Sequence, residues 1–293
     1  MNARQPPRGQ RGFTLVEAIV AIVIVGIIGA IVAVFIRAPI QGYADSVARA
    51  ETSDEADLAL RRMAREIRLA LPNSVRVSDS GDTIEFLLTK TGGRYLAAED
   101  NATSGQPLDF VDAARTSFTV VGRLQADVAR GDKVVVYNLG PGMAPADAYR
   151  INDAGRNIAE VAAPAAAGTS TLQLVSNPFA RDDPMPSPGR RFQVVQTPVT
   201  YRCEAQGGKL VLIRYASYPI RAELADPMQN AVSSVLARRV ASCANLFRYD
   251  LADVELRRSA LVLLALSLHT RGAGDADAGA LRLVHQVHVD NTP

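Results

Sequence analysis

The chain is poor in the residues from which catalytic and metal sites are usually built. Its 293 residues include three histidines, two cysteines, three lysines and no tryptophan. His269, His285 and His288 make a weak ligand set. The last two are three apart, a spacing that puts them on one face of a helix but on opposite faces of a strand, and their surroundings read as strand. There is no G-x-G-x-x-G opening a helix, no phosphate loop, no H-E-x-x-H and no G-x-S-x-G, so nucleotide-binding, zinc-protease and serine-hydrolase readings lack their motifs. Charge of one sign is also scarce. The net charge is +2, but Arg4, Arg8 and Arg11 all lie in an acid-free stretch before Phe13, and the remainder is nearly neutral. That balance gives no nucleic-acid footprint, and no nucleic-acid partner is expected.

What the chain does have is one long apolar run. Positions 18–36 carry no polar side chain, and at about 1.5 Å per helical residue they span roughly the 30 Å core of a bilayer. The three arginines before the run place residues 1–12 in the cytoplasm by the positive-inside rule, against a modest counter-bias from Arg37 and Arg49, and the rest on the exported side. Glu17 sits at the head of this run, where a charge drawn into the bilayer centre costs about 2.5–3.5 kcal/mol on insertion scales. Such a residue marks function; the plain alternative is a signal anchor with Glu17 among the headgroups. A secretory peptide would end its apolar core at a small-residue cut site. Here the small residue, Gly12, precedes the core, so cleavage there would strip the charges and keep the helix. Cys203 and Cys243 fall on the exported side, where disulfides persist, and read as a pair, with two unpaired buried thiols as the alternative.

The string Arg11-Gly12-Phe13-Thr14-Leu15-Val16-Glu17 resembles the class III signal of type IV pilins and type II secretion pseudopilins. The resemblance implies cleavage between Gly12 and Phe13 by a prepilin peptidase and methylation of the new Phe13 amine. It also implies a subunit-assembly role for Glu17, whose charge a neighbouring subunit's amine would neutralise. No cofactor or metal is implied. The implied partners are the peptidase, other major and minor pilins in a filament, and the inner membrane, with a periplasmic head that later enters a pilus or pseudopilus. Gly26 and Gly29 would let helices approach closely.

Beyond the span, apolar residues at Ile40, Tyr43, Val47 and Ala50, then Leu60, Ala64, Ile67 and Leu71, recur at helical steps among charged residues. They predict a solvated helix with one buried face, kinked at Pro39 and stopped by Pro72. After residue 73 the pattern turns to short β-rich runs. Strands are expected over 74–78, 83–88, 117–121, 133–137, 171–175, 192–204, 209–215, 244–249, 254–269 and 280–289, with a hairpin turn at Gln206-Gly207-Gly208 and a loop at 272–279. A short helix is expected over 232–241, and loops over 140–167 and 177–190. Asp275 and Asp277 offer the opening of a calcium-loop pattern, although a polar hairpin tip explains them as well.

The expected architecture is α+β and pilin-like: a leader (1–12), a membrane-spanning half-helix (13–36), an amphipathic half-helix (37–72) and a large antiparallel β head (73–293). So large a head points to a minor, specialised subunit. The closing string from Leu283 to Pro293, Leu71-Pro72-Asn73-Ser74 and the two late cysteines resemble the MshO minor pilins of mannose-sensitive haemagglutinin pilus biogenesis. The implied function is a non-enzymatic minor pilin in initiation, assembly or tip structure. The alternatives are a type II secretion minor pseudopilin of the J type and, remotely, a membrane-anchored periplasmic enzyme or binding protein.

Overall fold

The computed structural model describes residues 12–224, 230–250, 259–271 and 277–293. Residues 1–11, the beginning of the strand expected from Val254, and Asp275 of the calcium-loop reading lie outside what is described, while Asp277, expected in the loop, already opens the last strand. Among the described residues one α-helix, α1 (Leu15–Ile67), leads into twelve strands, all paired antiparallel, with a single 3-10 turn at Ala98–Asp100. The architecture is α+β: a long apolar N-terminal helix on a large antiparallel sheet.

α1 starts at Thr14, whose Oγ1 accepts the N–H of Glu17 at 3.3 Å and so satisfies one of the free donors of the first turn. The helix runs through Pro39 without interruption. It packs on the head only near its C-terminal end, where Thr52, Ala56, Ala59, Leu60, Met63, Ala64 and Ile67 form a buried stripe at three- and four-residue steps. The expected buried face therefore needs correction upstream of this point. Ile40 is 60% exposed and Tyr43 75%, because no strand of the head reaches them. The stop also comes earlier than expected. Pro72 disfavours helical backbone at Leu71, and the middle of the strand Thr83–Tyr95 takes the freed groups. Leu71 N–H donates to Leu87 O at 2.7 Å, Thr89 N–H to Leu69 O at 2.8 Å, and Ala70 bridges Leu88.

Among the described residues the strands form two sheets. The larger is built on two long strands, β2 (Thr83–Tyr95) and β7 (Arg191–Gln206), which pair along most of their length. Near α1 this pair is flanked by β1 (Arg76–Val77) on β2, and by β8 (Lys209–Ala216) then β9 (Val232–Ala237) on β7. Past the helix end it is flanked by β3 (Ser117–Val121) and β6 (Thr171–Gln173) on one side, and by β4 (Lys133–Val135) and β5 (Ile158–Glu160) on the other. The smaller sheet is β10 (Phe247–Asp250), β11 (Ser259–Arg271) and β12 (Asp277–Asp290) in that order.

Two expectations fail here. Residues 232–237 form strand β9, not a helix: Val232 and Val235 are spaced by three, but β8 supplies a ladder from Ala216 to Leu212 and fixes the segment as extended. Strand β5 lies in a stretch expected to be loop, too short to show alternation. The turn at Gly207 and Gly208 does join β7 to β8, with φ +59 and +76 as a tight hairpin requires.

Two main cores follow from this layout. The first packs the α1 stripe with Phe86, Tyr201 and Leu212 of the large sheet and Val262, Leu264 and Val287 of the small one. The second lies beyond the helix end, around Tyr95, Phe118, Val134, Phe192 and Val194. Three asparagines lock the chain where it leaves α1. Asn73, at φ +60, donates through Nδ2 to the carbonyls of Asn138 and Asn291, and its N–H donates to Asn291 Oδ1 at 3.0 Å. Asn138 in turn donates to Pro72 O at 2.8 Å.

Candidate functional site

The candidate site is the free part of α1. From Leu15 to Glu51 the described side chains are exposed except for Ala48, which is half-buried, and the most apolar 18-residue window, of mean hydropathy 3.3, has none of its residues buried. By length and composition this segment can cross a membrane. Phe13, 77% exposed, precedes the first turn, and Gly12 has nothing within 4 Å of where a Cβ would stand. The Gly12-Phe13 peptide is thus open to an enzyme. Glu17 lies in the first helical turn, where the exposed N–H groups favour a negative charge. Thr14 and Glu17 have the T-x-x-E spacing of a capping box, a signal present in the sequence that the assembly reading of Glu17 passed over. Glu17 can therefore serve the first turn of its own helix as well as a partner.

The packed end of α1 is held by charge as well as by apolar contact. Glu66 accepts Arg214 Nε at 2.8 Å and the Tyr201 hydroxyl at 2.7 Å, joining α1 to β8 and β7. Burial, reinforced by the Glu66 carboxylate, pushes the Tyr201 phenol well above its ordinary value. Glu55, one turn before Ala59, accepts the Arg238 N–H at 2.6 Å beyond β9. Cys203 on β7 and Cys243 between β9 and β10 form a disulfide with a Cα–Cα distance of 5.3 Å.

The other candidates stay apart. His285 and His288 point to opposite sides of β12, and His269 lies on β11 opposite Ala280. Among the described residues no group of three His, Cys, Asp or Glu side chains is placed to hold a metal ion.

Residues 7–33 match the model of the prokaryotic N-terminal methylation motif. The segment is a type IV pilin-like, class III signal. It indicates a type IV pilin or pseudopilin precursor, and implies processing by a prepilin peptidase, anchoring through the apolar helix and assembly with other pilins. No curated protein and no solved structure matches the chain.

Sequence reasoning also missed an apolar cavity of about 510 Å³ in the second core, lined by Tyr95, Leu108, Phe110, Pro186, Pro188 and Arg190 among others. Burial pushes the Tyr95 phenol up to about 12. The folded state therefore keeps this proton where the unfolded chain, titrating near about 10, has lost it. Its contribution is intact below pH of about 10 and falls by about 1.4 kcal/mol per pH unit until pH reaches about 12. In denaturant titrations between pH 9 and 11.5, Tyr95→Phe should flatten the alkaline loss of stability by about that slope. An unchanged slope would show the phenol to be titrating normally.

Proposed function

We propose that the chain is a minor type IV pilin, used in the initiation, assembly or tip of a pilus of the mannose-sensitive haemagglutinin type. The observation that carries this reading is a methylation-type signal on a helix whose first 37 residues, Leu15 to Glu51, project unpacked from a head of more than 200 residues. A free apolar rod of that length requires lipid or other helices around it, and a filament core supplies the helices. The head is large for a subunit repeated along a shaft, which favours a specialised position.

The proposed layout is a leader (1–12) removed before Phe13, an anchor (13–36), a connecting rod and a periplasmic head (73–293), with Glu17 as the assembly contact. The likeness to MshO minor pilins rests on two short strings far apart in sequence and on the two late cysteines. Asn73 of the first and Asn291 of the second are hydrogen-bonded to each other, which gives both strings one structural task at the helix exit. The methylation motif equally supports a type II secretion minor pseudopilin of the J type, which shares the signal and the long helix.

Mass spectrometry of the protein purified from membranes is the direct test. The mature chain should begin at N-methylated Phe13; a chain that retains Met1 would reduce the segment to a simple anchor.

A further inference from the structure

The cavity in the second core is walled largely by groups with no hydrogen bond to offer. Tyr95 and Phe110, their ring centroids 5.7 Å apart and their planes tilted by 53°, form adjoining walls. Pro184, Pro186 and Pro188 line another part, and proline has no backbone N–H. The Tyr95 hydroxyl is the buried polar group here. It stands 3.5 Å from Ser187 O, too far for a strong hydrogen bond, and accepts none among the described residues.

The charges of the lining leave a surplus of acid. Two carboxylates, Glu99 and Asp109, stand against one base, Arg190. That base is engaged: it donates to Asp100 Oδ1, an oxygen that Arg94 also uses. Asp109 stays ionised, because the N–H groups of Asp112 and Val111 donate to its Oδ1 at 2.8 Å and hold the carboxyl below its usual range, while Arg115 comes only within 3.4 Å of its other oxygen. Among the described residues the Glu99 carboxylate has no hydrogen bond or ion pair. After burial, its charge helps to retain the Tyr95 proton, so it acts on the cavity interior. Glu99 is exposed, as is Val111 at 87%, and these two residues mark the mouth.

We infer that this cavity binds a compact alkylated ammonium group, of the trimethylammonium kind. An unpaired carboxylate at the mouth calls for a cation, and aromatic walls attract one electrostatically. A primary ammonium would bring three N–H donors, which walls of ring and proline leave unpaired at a cost. An alkylated ammonium has few such donors or none, and its alkyl surface suits apolar walls. The volume, about 510 Å³, lies in the ordinary range for small ligands. Free choline and a phosphocholine headgroup both present this chemistry. The site lies away from the anchor, since β2 passes the end of α1 at Leu88 and continues to Tyr95, about 20 Å further along the strand.

Isothermal titration of the full chain in non-ionic detergent micelles tests this at constant ionic strength. The probes are choline, its uncharged carbon isostere neohexanol, ethanolamine and phosphocholine. Choline should bind saturably, and about fivefold or more tightly than neohexanol or ethanolamine. Phe110→Leu should weaken choline about tenfold, and Phe110→Tyr, which keeps a ring, should retain most of the affinity. Glu99→Gln should weaken choline about threefold and leave neohexanol unchanged, the effect expected of one exposed charge. Arg61→Gln, on the exposed side of α1, should change nothing, and circular dichroism should show every variant folded. Phosphocholine binding more tightly than choline would identify the ligand as a phospholipid headgroup, and weaker binding as a free ammonium. No saturable heat with choline, equal affinity for choline and either neohexanol or ethanolamine, or undiminished affinity in folded Phe110→Leu would overturn the site.

Discussion

Glu17→Ala is expected to cut incorporation of the chain into filaments to about a tenth or less, with the unfolding temperature of the head unchanged. The second half of that outcome follows from the structure. Glu17 lies on the exposed part of α1, far upstream of Thr52, the first residue of the packed stripe, so no head contact is lost. The first half rests on the proposed pairing of Glu17 with a neighbouring subunit's amine. Removing one partner leaves the other cation uncompensated in an apolar setting, and a difference of about 1.4 kcal/mol already amounts to a factor of ten. Because Glu17 also stands at capping-box spacing from Thr14, Glu17→Gln separates the two roles. Glutamine at this position can still close the box but carries no charge. Immunoblots of sheared filaments against membrane fractions would read the result. If filaments from cells carrying Glu17→Gln contain the normal amount of subunit, the residue acts on its own helix and the charge pairing is refuted.

The same separation explains what could be read from the sequence and what could not. The apolar run and the signal are local patterns, so Gly12, Phe13 and Glu17 stand out without any knowledge of the fold. The long strands are also local: β7 and β12 are marked by β-branched residues and β11 by a continuous leucine-rich apolar run. The failures are places where a distant partner decides. Ile40, Tyr43 and Val47 repeat at helical steps, and that pattern is identical whether the covering surface is the chain's own head or another subunit; the structure leaves them exposed. Val232-Ser233-Ser234-Val235 has a helical spacing that β8 overrules. The register that sets Arg94 opposite Arg191 joins residues almost a hundred positions apart, and nothing local to either strand announces it.

The disulfide should matter most for the part of the head that holds the rod. Cys203→Ser with Cys243→Ser opens a loop of 40 residues, which in the chain-entropy model lowers stability by about 4 kcal/mol. For a head of this size that corresponds to a fall of about 8–16 °C in Tm. The loss should not be uniform. The segment between β9 and β10 crosses from the large sheet to the small one, where Val240 bridges Leu268 and Ala241 N–H donates to Ser267 O at 2.8 Å. The bond from Cys243 back to β7 closes that crossing over the core that contains Met63 and Ile67 of α1. The second core, around Phe118 and Val134, contains no cysteine and is not closed by the disulfide. Hydrogen exchange on the double variant should therefore show faster exchange in β8, β9 and the last turns of α1 before β3 and β4 change. Equal acceleration in both regions would mean that the head unfolds as one unit, and that the crossing gives the rod no separate hold.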